Sequence, residues 1–294
     1  MQTERMLDYL NLTKPRIILL LDLVAVSAFI VANSRNISLN GLLALFVAGT
    51  LASGGSGALN SYLDRDIDQS MKRTRRRPIP SGRIIPALHA LYFGLALSVV
   101  GFLIAAYYLN YLAAFFVGFG AIFYVLVYTL LLKRRTSLNI VIGGFAGSCA
   151  VLAGWTAVTN TLALPSLLPG LLMGLLVFLW TPSHFWSLAI RAQEDYANVG
   201  IPMLPVVVGE RRAMDYIFLS SVLIVAFSIA LWVLNVFGTL YLVIVTIMGG
   251  LLLLSNVRML QHPSKETAWT AFKFSSPYLA IVFVGMVLDV LLRV

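Results

Sequence analysis

The chain has 294 residues, 60% of them apolar and only 11% charged, with a formal net charge of +9. That balance excludes a soluble globular domain and points to a polytopic membrane protein in a lipid bilayer. A basic excess would ordinarily suggest nucleic acid or anionic lipid, but here it gathers on one face among carboxylates, so no nucleic-acid partner is expected.

Met1 to Lys14 carries Glu4 and Asp8 and no hydrophobic stretch, so it reads as neither a cleaved signal nor an Arg-rich transit peptide. Apolar runs then recur near 15–33, 40–60, 85–108, 111–132, 138–158, 166–189, 214–236, 238–257 and 269–291. Each approaches the roughly 20 residues a helix needs to cross about 30 Å of hydrocarbon. The expectation is all-α: nine transmembrane helices in one bundle, a single domain over 1–294, enclosing a cavity open toward the cytoplasmic side. Of the 21 lysines and arginines, only Arg35 and Arg293 fall outside the N-terminus and the loops after spans two, four, six and eight. Short basic loops stay cytoplasmic, so the N-terminus is expected inside and the C-terminus outside, in a prokaryotic plasma membrane. Spans two and six run in the same direction, which suggests two like-oriented four-helix halves plus a ninth span. The lone Cys149 allows no disulfide within the chain.

Along the chain, the first polar feature is Asp22 in span one, expensive in a bilayer unless paired or facing a wet cavity. Span two ends in Asn60-Ser-Tyr-Leu-Asp64-Arg-Asp66-Ile-Asp68. A four-residue step turns a helix about 400°, so Asn60, Asp64 and Asp68 form one row while Asp66 points elsewhere. Two carboxylates and an amide oxygen suit Mg²⁺, which completes its shell with water and substrate phosphate, so the row implies a phosphorylated partner. The bland alternative is a charged helix end paired with Arg65 and the arginines of Lys72–Arg77. Glycine-rich Ser53–Gly57 before the row lets a helix or a ligand approach the backbone.

Lys133-Arg134-Arg135 ends span four, as a topological anchor or as a set of phosphate ligands. Span six closes with Trp180-Thr-Pro-Ser-His184-Phe-Trp186 and runs on to Arg191 and Glu194-Asp195-Tyr196. Spacings of seven and eleven residues put His184, Arg191 and Asp195 on one face if Pro182 merely kinks the helix. Asp195 could equally be a loop acid paired with Arg191. Aromatic Tyr62, Tyr124, Tyr128 and Phe185 join the two tryptophans near the same surface, where such faces can stabilise a cation or simply form an interfacial belt. Asp289 lies toward the outer end of span nine.

Over nearly its whole length the chain resembles the intramembrane prenyltransferase superfamily, in particular its heme-modifying branch. The resemblance rests on Asn60-x-Tyr62-x-Asp64-Arg-Asp66-Ile-Asp68-x-x-Met71-x-Arg73-Thr74-x-x-Arg77-Pro78 and on Lys133-Arg134-x-Thr136 leading into Ile142-Gly-Gly. It rests also on His184 and Asp195-Tyr196-x-x-x-Gly200-Ile-Pro202-Met-Leu-Pro205. The resemblance implies that Asn60, Asp64 and Asp68 hold Mg²⁺ against farnesyl diphosphate, with Asp195 in a second motif, and that Arg73, Arg77, Lys133 and Arg134 clamp the diphosphate. Arg191 and Tyr196 are expected to contribute to substrate binding. Asp64, Asp68, Asp195 and His184 would be the catalytic set, His184 placing or ligating heme or relaying a proton. The implied reaction joins a farnesyl group to a vinyl group of heme b with addition of water, giving heme O, and a heme A synthase would stand downstream. Two departures are Val199, where relatives acting on aromatic acceptors carry a second acid, and Gly147-Ser-Cys149-Ala150, where the heme branch often carries prolines. An aromatic or quinone-precursor acceptor is the enzymatic alternative. A transporter of isoprenoid diphosphate or anionic lipid would instead place polar, broken helices at the bilayer midplane.

Overall fold

The computed structural model describes residues 2–293. A short helix, α1 (Gln2–Thr13), precedes the first span, α2 (Pro15–Ala32). Pro15 suits a first helical position because its missing N–H would have no partner there, and Lys14 turns the chain with a left-handed φ of 58°. Next come α3 (Leu39–Leu63), N-capped by the Ser38 hydroxyl, which accepts from Gly41 N at 3.2 Å, and α4 (Arg65–Ser70). After α5 (Leu88–Tyr108), α6 (Tyr111–Ile122) continues as a ten-residue π-helix, Phe123–Leu132. Span five is divided at Gly144 into α7 (Asn139–Gly143) and α8 (Phe145–Thr159). Then follow α9 (Leu164–Arg191), α10 (Gln193–Asn198), α11 (Leu204–Val208), α12 (Glu210–Val233), α13 (Thr239–Gln261) and α14 (Lys265–Leu292).

Among the described residues, nine helical stretches are long and apolar enough to cross a membrane. The protein is an all-α polytopic membrane protein, and the spans differ from the sequence expectation mainly at their ends. Span seven starts at Glu210 rather than 214, because a polar Glu-Arg-Arg turn can extend a helix out of hydrocarbon. Span nine starts at Lys265 rather than 269, fixed by a capping box in which Ser264 and Thr267 satisfy each other's backbone amides. Pro182 lies inside α9 without ending it, so His184 and Arg191 share one continuous helix. The chain breaks at Ala192, which puts Asp195 on α10 instead.

Spans one to five pack around one another, and α9, α12, α13 and α14 form a second group joined to them through α8 against α9 and α14 against α2. The main core includes Phe29, Leu45, Met173, Leu176, Tyr241 and Phe283. Small residues permit the closest approaches, as expected where lipid provides no drive for helices to associate. A methyl on Gly57 would stand 2.9 Å from the Thr13 carbonyl oxygen, so this glycine lets the α1–α2 turn seat against α3. A second, smaller core with Ile67, Met71, Trp186, Ile190, Ile201 and Met203 lies beneath the two long basic-face loops and holds them together.

Candidate active site

Asn60 occupies the last turn of α3, and Asp64 is the junction residue before α4, which carries Asp68. Although the assigned helix is interrupted at Asp64, the i to i+4 pattern passes through it: Asp64 N donates to Asn60 O at 2.9 Å and Asp68 N to Asp64 O at 2.8 Å. The three side chains therefore stay in register and are buried at 3%, 1% and 2% exposure. Asp66 turns outward, its side chain 59% exposed.

A cation meets each member of the row. Lys14 Nζ donates to Asn60 Oδ1, Lys133 Nζ lies 2.5 Å from Asp64 Oδ2, and Arg77 Nη1 lies 2.7 Å from Asp68 Oδ2. Asn60 Nδ2 in turn donates to Asp64 Oδ2 at 2.8 Å and to Thr129 Oγ1 at 3.0 Å. Two carboxylates thus face three basic groups, a surplus of positive charge that an anionic substrate would balance. Loss of hydration around the Lys14 ammonium, and repulsion from Arg77 and Lys133, push its pKa down to about 7 against the pull of Asp64 and Asp68.

The π-helix supplies the facing wall. Thr129 Oγ1 donates to Tyr124 O at 2.9 Å, and Tyr124 and Tyr128 stack with centroids 5.4 Å apart. Lys14 Nζ lies 6.0 Å from the Tyr124 centroid. Such π segments are rare and cluster at functional sites, because they change which residues share a face. A cleft of about 400 Å³, walled by Leu63, Asp64, Thr129, Leu130 and the Asp66–Arg134 pair, reaches the row from outside.

The donor chemistry fits a hard divalent cation. Asp64 Oδ1 is sealed in protein without any hydrogen-bond partner, an expensive state that a bound cation would relieve. Among the described residues no three His, Cys, Asp or Glu side chains cluster closely enough to hold a metal. Two carboxylates and an amide would thus leave coordination positions for water and phosphate, the usual habit of Mg²⁺.

Other expected site residues are distributed differently. Both oxygens of Asp195 accept from backbone amides, of Lys72 and Arg73 at 3.0 Å each, so this acid ties α10 to the basic loop, apart from the Asn60–Asp64–Asp68 row. Arg73 is exposed and its Nη2 reaches Tyr196 Oη at 3.4 Å. Arg134 is not brought to the row: its fork grips Asp66 at 2.7 and 2.8 Å on the surface and holds that carboxyl below the usual range. Arg191 lies 4.4 Å over the Trp269 ring. His184 is buried in the α9–α14 seam, with Nδ1 2.6 Å from Ser275 Oγ. Lys14, Thr129 and Ser275 were not anticipated, and only the Lys14-Pro15 step, a basic residue at a forced turn, offered a sequence signal for any of them.

Residues 22–277 match the UbiA prenyltransferase family. The chain belongs to that family. It is a membrane prenyltransferase. Among curated relatives it is 46% identical over 287 residues to protoheme IX farnesyltransferase 1 of Cenarchaeum symbiosum (strain A), covering 96% of this chain and 95% of that protein. It is 44% identical over 282 residues to protoheme IX farnesyltransferase of Roseiflexus sp. (strain RS-1), covering 96% of this chain and about half (52%) of that longer protein. Solved structures share the fold. A digeranylgeranylglyceryl phosphate synthase superposes with a TM-score of 0.77 at 21% identity, covering 98% of this chain and 99% of that one. A UbiA homologue from Archaeoglobus fulgidus bound to DMAPP and Mg²⁺ gives 0.70 at 16% identity, covering 95% and 99%.

Proposed function

We propose that this prenyltransferase transfers a farnesyl group from farnesyl diphosphate to a vinyl group of heme b, producing heme O, with Mg²⁺ held by Asn60, Asp64 and Asp68. The observation that carries the acceptor is the near end-to-end likeness to proteins named protoheme IX farnesyltransferase. What supports the donor half is the buried row with its orphaned Asp64 oxygen and three surrounding cations.

Bound there, Mg²⁺ would neutralise charge growing on the leaving diphosphate. Lys14, Lys133 and Arg77 add positive charge at the same place, fixed before the reaction and shielded from water, where it is most effective. Arg73, exposed on the loop that Asp195 anchors, reaches diphosphate from the rim. As the C1–O bond breaks, its electron pair leaves with diphosphate. The allylic cation that remains is held against the Tyr124 and Tyr128 faces, an attraction worth up to about 2 kcal/mol when desolvated. The vinyl π pair then forms the new C–C bond, water adds to the carbon left positive beside the porphyrin, and a proton is lost.

The lysine and arginine distribution supports placing the basic face, with all three cations and the row, toward the cytoplasm of a prokaryotic cell. Mass analysis of the heme product from purified protein with Mg²⁺, farnesyl diphosphate and heme b tests the reading. Heme O is expected; unchanged heme b, with prenylation when an aromatic acid is supplied in its place, would transfer the proposal to that acceptor.

A further inference from the structure

The basic face has a second cleft, of about 480 Å³, which meets the cleft leading to the row at Arg65 and Asp66. Arg65 and Gln69 of α4 stand on one wall, and Ile79, Ile84 and Ile85 of the loop before α5 on the other. Span two ends at Leu63 and span three begins at Leu88. The cleft therefore lies at the level where lipid headgroups meet acyl chains.

Its polar wall holds a cation without a carboxylate. Nearby, Arg77 pairs with Asp68, Arg83 with Asp8 and Arg134 with Asp66. Among the described residues no acid is paired with Arg65. Its guanidinium lies 4.3 Å over the Tyr62 ring and donates from Nη1 to Tyr62 O at 2.7 Å. The acid next to it in sequence, Asp66, is held by both prongs of Arg134. The Arg65 fork is thus oriented by its own helix end while the rest of its donors stay open, and little side-chain freedom remains to be lost when an anion binds.

The apolar wall leads into the bilayer. Leu88, Tyr92, Leu95 and Val99 are exposed on α5 at three- and four-residue steps, which makes them one lipid-facing stripe of a membrane span. Ile85, 75% exposed, stands at the basic-face end of that stripe. Cleft wall and lipid-facing surface are therefore continuous.

We propose that this cleft is a site for one anionic phospholipid from the leaflet on the basic face, with its phosphate on Arg65 and Gln69 and an acyl chain along Ile85 and the α5 stripe. The surplus positive charge of this face favours a lipid of net negative charge over a zwitterionic one, whose own cation would be repelled. Because Arg65 and Asp66 also border the cleft leading to the row, the seated lipid braces the turn that joins α3 to α4.

The test offers the purified full chain, in detergent, equal amounts of dioleoylphosphatidylglycerol and dioleoylphosphatidylcholine, and counts retained lipid by native mass spectrometry. Wild type should keep one phosphatidylglycerol in preference to phosphatidylcholine. Arg65→Gln should weaken that binding about fivefold, the scale of one basic residue at an anionic lipid surface, and leave phosphatidylcholine unaffected. Ile85→Gln should weaken it as well. Arg212→Gln, which removes the same charge from the start of α12 on the same face, should not. All three positions are exposed, so the fold is not at risk. Backbone amide exchange over 65–70 should slow when phosphatidylglycerol replaces phosphatidylcholine, in wild type and not in Arg65→Gln. Equal retention of the two lipids, or equal losses in Arg65→Gln and Arg212→Gln, would overturn the proposal in favour of general surface charge. Wild type should hold its lipid against inorganic phosphate and against farnesyl thiodiphosphate without Mg²⁺. Release by the first would make the cleft a free-anion site, and release by the second alone would give it to the donor instead; either result overturns the phospholipid assignment.

Discussion

Two buried aspartates at opposite ends of the bundle have different fates. Asp289, at 2% exposure, accepts from Gly238 N at 2.7 Å and from Tyr241 N at 3.2 Å, and pairs with Arg293 at 2.6 Å. Each of its oxygens is engaged, and the acid serves to cap the start of α13. Asp64, at 1% exposure, also has a cation beside it, yet Oδ1 has no partner and the neighbouring acceptor on Asn60 is taken by another ammonium. A buried acid with complete partners is there for architecture. One left partly unsatisfied is where the proposed ion would bind.

The largest effect that would test this contrast comes from the row. Asp64→Ala and Asp68→Ala should each lower kcat by at least about 10²–10³-fold, the scale set by loss of one charge-stabilising group, with the fold retained by circular dichroism. Near-normal turnover in either would remove the distinction between the two ends. Lys133→Met should follow with a smaller loss, about tenfold or more in kcat/KM for farnesyl diphosphate, while a variant bearing arginine at that position should recover part of it. Asp289→Ala should act on stability instead. Leaving two amides unpaired costs about 1–3 kcal/mol, read as a lower thermal midpoint, with kcat per folded molecule unchanged. The smallest effect belongs to Asp66→Asn. An exposed ion pair contributes about 0–1 kcal/mol, so the midpoint should hardly move; a large drop would mean that the Asp66–Arg134 pair has a structural role its exposure does not suggest.

The sequence exposed those parts of the site that depend on local spacing. Asn60, Asp64 and Asp68 could be read because the four-residue step survives the helix break at Asp64. The nine spans could be read because hydrocarbon thickness sets their length. Lys14 could not, since it reaches Asn60 through a left-handed turn and across 46 residues of sequence. The partners of Asp195 could not be read either, since side-chain patterns do not reveal backbone partners, and these are two amides more than 120 residues away. The pairing of Arg134 with Asp66 was hidden for a related reason: nothing in a basic triplet tells which acid it will meet in space. The π-helix was hidden as well, because a uniformly apolar run such as Phe123–Leu132 has no periodicity from which to distinguish it from an α-helix.

The proposal that the row holds a divalent ion whose shell diphosphate completes can be measured directly. Mn²⁺ titrations monitored by electron paramagnetic resonance, with an unreactive farnesyl thiodiphosphate present or absent, should show tight binding to wild type only when the analogue is present, and none to Asp64→Asn. Equal Mn²⁺ affinity in wild type and Asp64→Asn, or binding indifferent to the analogue, would contradict it.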